Sequence, residues 1–203
     1  MGGTEREGDS MIYDISQEVF SCQVYPGDPA PAFERARSME RGDLYNMTTF
    51  SMCAHNGTHV DAPFHFLGEG KTIDRLGLKP FVGDCFVARC RGDLTAEDAL
   101  EILERARQAG AKHRLLLAGE LVVTAEAARV FAQAKLLLLG NESQTVGPEN
   151  APMEVHKILL GAEVALLEGV VLRDISEGKY FLSAAPLNLA GADGAPTRAY
   201  LIQ

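Results

Sequence analysis

The chain has 203 residues, 46% of them hydrophobic, with 28 acidic against 19 basic side chains and a net charge of −9. That length suits one domain with a sizeable core, and an acidic balance without any Lys/Arg run argues against nucleic acid or an anionic membrane surface as a partner. The longest apolar runs, such as Leu136 to Leu139, are far too short to cross a bilayer.

Residues 1–10 are polar and Gly-rich without an apolar stretch. They read as a flexible leader ahead of a domain over 11–203, with no secretory signal. Cys22, Cys53, Cys85 and Cys90 form no Cys-x-x-Cys pair, which predicts reduced thiols and a cytoplasmic protein. Met11 to Ile15 reads as a short strand and Val19 to Tyr25 as a second. Tyr25-Pro26-Gly27-Asp28-Pro29 breaks it with turn chemistry. Tyr45 to Ala54, rich in Thr, Phe and Met, reads as a partly buried strand. Phe81 to Cys90 is the next strand. Thr95 and Asp98 form a capping box for a helix ending at Gly110. Leu115 to Leu117, a helix over Thr124 to Gln133, and Leu136 to Leu139 complete a β-α-β-α-β alternation, which argues for parallel strands covered by helices. Met153 to Gly161 reads as an apolar helix, and Val164 to Leu167, Tyr180 to Leu189 and Arg198 to Ile202 as strands. The fold class is α/β, a single mixed domain.

One stretch, Cys53 to Phe66, carries the chemistry. His55, His59 and His65 lie within eleven residues, with Asp61 between the second and third. Imidazole and carboxylate together suit a borderline divalent metal. Fully extended, His55 and His59 would stand roughly 13 Å apart at about 3.3 Å per residue, too far for one ion at about 2 Å from each. Gly57 and Pro63 disfavour a continuous helix, so Asn56-Gly57 is expected to be a turn that folds His55 back towards His59. Asp61 then completes a His-His-Asp face. Pro63 suits the first turn of a short helix, which would carry His65 past the metal as a proton-transfer group. Cys53 reads as a half-buried strand thiol and His113 as solvated.

His55 to His65 follows the pattern H-x-G-T-H-x-D-x-P-x-H without a gap. This resembles the signature of the cyclase family, whose members include bacterial kynurenine formamidase and isatin hydrolase. The resemblance implies the cyclase-like swivelling β/β/α fold, metal ligation by His55, His59 and Asp61, and an acid/base role for His65. It also touches Tyr25, which stands where kynurenine formamidases carry a pocket tryptophan before a Pro-Gly-Asp turn. From its residues alone, Tyr25 reads equally as a strand-end aromatic on the core.

His156 sits on the apolar helix, where by itself it reads as a helix-surface or core residue. Glu168 ends the run Ala165-Leu166-Leu167, a costly place for a carboxylate unless paired or metal-bound. The resemblance implies that His156 and Glu168 join Asp61 at a second metal position. Two departures bear on the substrate: Ala118-Gly119 stands where the family often shows Arg-Thr, and Gly140-Asn141-Glu142-Ser143 where the family's strand usually leads into Gly-x-Asp. The ending from Gly191 to Arg198 resembles the family's C-terminus.

These readings converge on a metal-dependent hydrolase of a small amide: an arylformamide resembling N-formylkynurenine, a lactam or another cyclic amide. Water activated by the metal would attack, with His65 as general acid/base. One or two divalent ions are expected, zinc ahead of manganese. Two alternatives stand beside it: a metal-dependent cyclase or dehydratase acting on a small carbonyl compound, and a non-catalytic metal-binding domain. The partner is a small-molecule substrate, without nucleic acid or membrane, and the resemblance implies a homodimer or higher homo-oligomer.

Overall fold

Alternation within the short apolar runs decides which way each buried strand faces. Leu115 and Leu117 join one core cluster and Leu116 the other; Leu139 and Leu138 divide the same way, as do Leu166 and Leu167. A strand buried on both faces reads as a continuous apolar run, which is how these segments appear in the sequence.

The computed structural model describes residues 4–7 and 10–203. Its elements in chain order are β1 (Thr4–Glu7), β2 (Ser10–Asp14), β3 (Ala32–Arg37), β4 (Met47–Ser51), β5 (His59–Asp61), β6 (Val82–Arg89), β7 (Gly92–Leu94), α1 (Ala96–Gln108), β8 (Arg114–Ala118), β9 (Leu121–Val123), α2 (Ala125–Gln133), β10 (Leu138–Asn141), α3 (Met153–Gly161), β11 (Ala165–Glu168), β12 (Gly178–Ser183), β13 (Gly194–Pro196) and β14 (Tyr200–Ile202). Among the described residues, ten strands form one sheet in the order β1-β2-β14-β12-β6-β8-β10-β11-β5-β13. The central four, β6, β8, β10 and β11, run parallel, and the flanking strands are antiparallel. One face packs on α1 through Ala99, Ile102 and Ala106, on α2 through Phe131 and on α3 through Val155 and Leu159. The other face is one cluster drawn from both wings, with Leu201 and Tyr180 at one side and Val60 and Ala195 at the other. The sheet therefore curls over its own second core. This is the mixed α/β domain expected.

Thr95 accepts from Asp98 N while the Asp98 carboxylate accepts from Thr95 N, so the capping box forms and starts α1. Thr124 caps α2. Several expectations fail for reasons of tertiary context. Val19 to Tyr25 is not a strand: the Glu18 carboxylate caps Phe20 N and Ser21 N, folding Val19–Ser21 into a single 3-10 turn. Met47–Ser51 does not run into the main sheet but pairs with β3 as an exposed hairpin, and β3 itself gave no sequence signal. The strand expected over Tyr180 to Leu189 stops at Ser183, shortly before Pro186, which lacks the N–H a ladder needs. Within the stretch read as a leader, Thr4–Glu7 pairs antiparallel with β2; residues 1–3 and 8–9 lie outside the described residues. His113 is exposed as expected, while its neighbour Arg114 is buried and donates to backbone carbonyls of Pro80 and Asp84. No helix among the described residues is long and apolar enough to cross a membrane.

Candidate metal centre

Cys53 N donates to Asn56 Oδ1 (2.9 Å) and Asn56 N to Cys53 O (3.2 Å), closing a side-chain-assisted turn. Gly57 follows at φ +64°, a backbone conformation that a side chain would strain. The chain reverses here, and the His55 and His59 rings meet edge to face with centroids 5.1 Å apart.

β5 then lies between β11 and β13, opposing His59 to Glu168 and Asp61 to Leu166. His59 and Asp61 are two residues apart and so share a face of the strand; Val60 points into the opposite core. The shared face is the one covered by helices, and α3 lays His156 over it. His59 Nε2 is 3.4 Å from Asp61 Oδ1 and 3.5 Å from Glu168 Oε2. His156 Nε2 is 3.5 Å from Asp61 Oδ2 and 3.2 Å from Glu168 Oε1. His55 Nδ1 approaches Asp61 Oδ1 to 2.8 Å. His59, Asp61, His156 and Glu168 are all at most 2% exposed.

These separations bear on occupancy. Two donors about 2.05 Å from a tetrahedral zinc lie roughly 3.3 Å apart, and four of the donor pairs just given fall at 3.2–3.5 Å. Asp61 Oδ2 is buried and accepts no hydrogen bond, an arrangement costly for a carboxylate oxygen without a cation. The ligand atoms of His59, Asp61 and Glu168 lie within 4.8 Å of one another, as do those of His55, Asp61 and His65. The residues fit a divalent metal, and the two groups share Asp61.

Electrostatics without the ion agree. Burial lowers the His59 pKa, but the Asp61 and Glu168 carboxylates overcome it and raise it to about 10. His156 is likewise raised to about 10, burial opposing and the same two carboxylates prevailing. Burial would push Asp61 up, yet His156, His55 and His59 hold it well below the ordinary carboxylate range. In the metal-free protein, protons occupy the cationic positions that a metal would take.

His65 follows Pro63, which opens the short helical turn Pro63–His65 as expected. Its ring stacks on His55 with centroids 4.0 Å apart, and Nδ1 lies 3.0 Å from Asp193 Oδ2. His65 is thus nearer the ligand set than the sequence suggested. Phe66 packs against both the His65 and His156 rings, centroids 4.5 Å from each. A cavity of ≈ 400 Å³ opens over this group, walled by Tyr25, Phe66, Gln144 and Thr145 among others.

The sequence pattern of the family described as "Putative cyclase" matches residues 13–147. A kynurenine formamidase from Erythrobacter litoralis (strain HTCC2594) is 33% identical over 200 residues, covering 94% of this chain and 93% of its own. The chain belongs to the cyclase family. A solved structure described as a potential metal-dependent hydrolase with cyclase activity superposes with a TM-score of 0.79 at 27% identity, over 95% of this chain and 98% of that one. An isatin hydrolase bound to the product analogue thioisatinate superposes at 0.83, over 97% and 93%, but at 18% identity that likeness concerns the fold alone.

Against this family background, Tyr25 lines the cavity and anchors its hydroxyl on Glu149 O at 2.7 Å. Cys53 also lines it; its thiol donates to Asp28 Oδ2 at 3.7 Å, and burial pushes its pKa up. The two departures from the family pattern meet in space. Glu142 accepts from Gly119 N and from Leu172 N, both at 2.8 Å, and so ties the ends of β8 and β10 to the segment after β11. Asp193 was not legible as a site residue. An aspartate flanked by small residues and glycine looks like turn chemistry, and nothing local distinguishes it.

Proposed function

We propose that this protein is a divalent-metal-dependent hydrolase acting on non-peptide C–N bonds of small amides. The carrying observation is the buried group His59, Asp61, His156 and Glu168, joined by the half-buried His55, beneath a ≈ 400 Å³ cavity with His65 in its wall. Bound there, a divalent ion would polarise a carbonyl oxygen and lower the pKa of water. Following the family resemblance, His55, His59 and Asp61 would hold one position, and Asp61, His156 and Glu168 a second, with zinc ahead of manganese for this nitrogen and oxygen set.

The protein's own groups do the rest. Tyr25 and Phe66 give the cavity aromatic walls, favouring a flat ring beside the scissile amide. The volume lies at the low end for small-molecule sites, which suits an arylformamide, a lactam or another cyclic amide, and the kynurenine formamidase relative favours the first. Phe66, against His65 and His156, keeps water off one side of the reacting groups. His65 takes a proton from the attacking water as the C–O bond forms, then delivers it to the leaving nitrogen as the C–N bond breaks. Its Nδ1 is held by Asp193, so Nε2 is the atom left for both transfers.

Elemental analysis of purified protein, followed by a screen of formamides, lactams and cyclic imides in ¹⁸O-water, tests the proposal. Bound zinc or manganese and one solvent oxygen in the product are expected. Absence of any divalent ion, with no activity on adding one, would sink it.

A homodimer or higher oligomer goes with this reading. The β3–β4 hairpin leaves Phe33 and Phe50 more than half exposed, clustered with Phe20. Light scattering that gave a monomer at assay concentration would remove this part alone. The four unpaired cysteines support a reducing compartment such as the cytoplasm.

A further inference from the structure

His59 and His156 each have one nitrogen turned to the carboxylates and the other tethered. His59 donates Nδ1–H to Gly57 O at 2.9 Å, which leaves Nε2 for the cluster. His156 does the same with Pro152 O, also at 2.9 Å. A neutral imidazole has one protonated and one bare nitrogen, and only the bare one can ligate. The tether therefore selects the ligating tautomer. In both residues the tether is a backbone carbonyl, fixed by β5 and α3 themselves.

His55 is different. Its Nδ1 faces Asp61, and its Nε2 is 2.9 Å from Asp193 Oδ2, a side-chain carboxylate. The same oxygen takes His65 Nδ1 at 3.0 Å, and the two rings stack with an interplanar angle of 28°. The backbone around Asp193 is shaped for this contact. Ala62 N donates to Asp193 O at 2.9 Å, pinning the residue beside the loop. A Cβ at Gly194 would stand 2.6 Å from His55 Cε1, so only glycine lets the ring lie against the chain there.

We propose that Asp193 is a positioning residue. It keeps the His55 proton on Nε2, leaving Nδ1 bare for the metal, and through the same oxygen it holds the His65 ring stacked on its neighbour His55. This rests on the metal reading of His55 above. One carboxylate oxygen thus couples a metal ligand to the proton-transfer group, and it does so with the only one of these tethers that a substitution can remove.

The test uses full-length protein with zinc, as wild type, Asp193→Ala and Asp193→Asn. Zinc affinity is read by competition with a chromophoric chelator. The His55 Nε2–H is read from long-range ¹H–¹⁵N spectra of the zinc-loaded protein, together with its protection from solvent exchange. Asp193→Ala should weaken zinc about 10- to 100-fold, expose the His55 Nε2–H to rapid exchange, and lower kcat at saturating zinc more than it changes KM. Asp193→Asn, which keeps an acceptor oxygen without the charge, should fall between. Thermal midpoints in excess chelator show that the variants fold. Unchanged zinc affinity with an equally protected Nε2–H would overturn the inference. Weaker zinc with the Nε2–H still protected would also overturn it, since the loss would then be general destabilisation. A wild type that binds no zinc would refute the metal reading itself, which is a distinct result.

Discussion

Replacing Glu168 by Gln tests the convergence of the distant half of the site with the loop. The carboxylate spans the two histidines, with Oε2 3.5 Å from His59 Nε2 and Oε1 3.2 Å from His156 Nε2. Oε1 also accepts the Val146 N–H at 2.7 Å, a bond that the Gln carbonyl can keep. The substitution therefore removes charge and one ligand atom while nearly preserving shape. A unit charge about 4 Å from another is worth about 4 kcal/mol at an effective dielectric near 20, and relief from burying a carboxylate recovers part of that. Metal affinity should fall about ten- to a thousandfold, or about 1.4–4 kcal/mol. Isothermal titration of the chelator-stripped protein measures it, and the wild-type stoichiometry reports whether one ion or two bind. The metal-free variant should also melt earlier near neutral pH, because protonated His59 and His156 lose one of their two shared carboxylates. A folded Glu168→Gln that binds metal as wild type does would refute the reasoning and leave Glu168 as the acceptor for Val146 N.

Three further outcomes are expected. His65→Ala should retain its metal and lose about 10²- to 10⁴-fold in kcat; if metal analysis found the site empty, His65 would be a ligand, as its nearness to His55 and Asp61 permits. In the metal-free protein the folded His59 and His156 pKa values, both about 10, exceed the unfolded value of about 6.5, so their stabilisation is complete below about 6.5 and is lost as pH rises towards 10. Thermal midpoints in chelator should fall already between about pH 6.5 and 8.5, before thiol ionisation in the unfolded chain adds the effect of Cys85, raised to about 12 by burial; a flat or rising profile there would contradict the shared carboxylates. Thr95→Ala should destabilise the protein by about 0.5–2 kcal/mol by removing the α1 cap, read as a lowered midpoint in denaturant with an unchanged slope.

How much was legible follows from the range of the interaction concerned. The turn at Asn56-Gly57 depends on residues within three positions, and it forms where the sequence places it. The same is true of the α1 capping box and of the short helical turn after Pro63. The buried strands of the parallel centre carry their own signal because both faces are apolar. Val19–Ser21 misled because β-branched and aromatic residues favour a strand, whereas the Glu18 carboxylate satisfies the backbone of a turn instead. The β3–β4 hairpin was half missed, since Ala-Phe-Glu-Arg-Ala-Arg in β3 has neither a clear alternation nor a buried face.

The sequence by itself therefore determined the histidine loop, its turn and the imidazole and carboxylate groups it can offer a divalent metal, because those residues are neighbours along the chain. The tertiary structure alone decided what stands opposite them. Glu168 faces His59 because β11 and β5 pair in one register and not another, across about a hundred residues of chain. His156 reaches Asp61 because α3 packs on the face of the sheet to which Asp61 points. Asp193 reaches His55 and His65 because the curled sheet brings β13 alongside β5, with a glycine at the point of closest approach. Strand register and helix docking depend on burying the whole apolar surface at once, so no local pattern around Glu168, His156 or Asp193 could have fixed their partners.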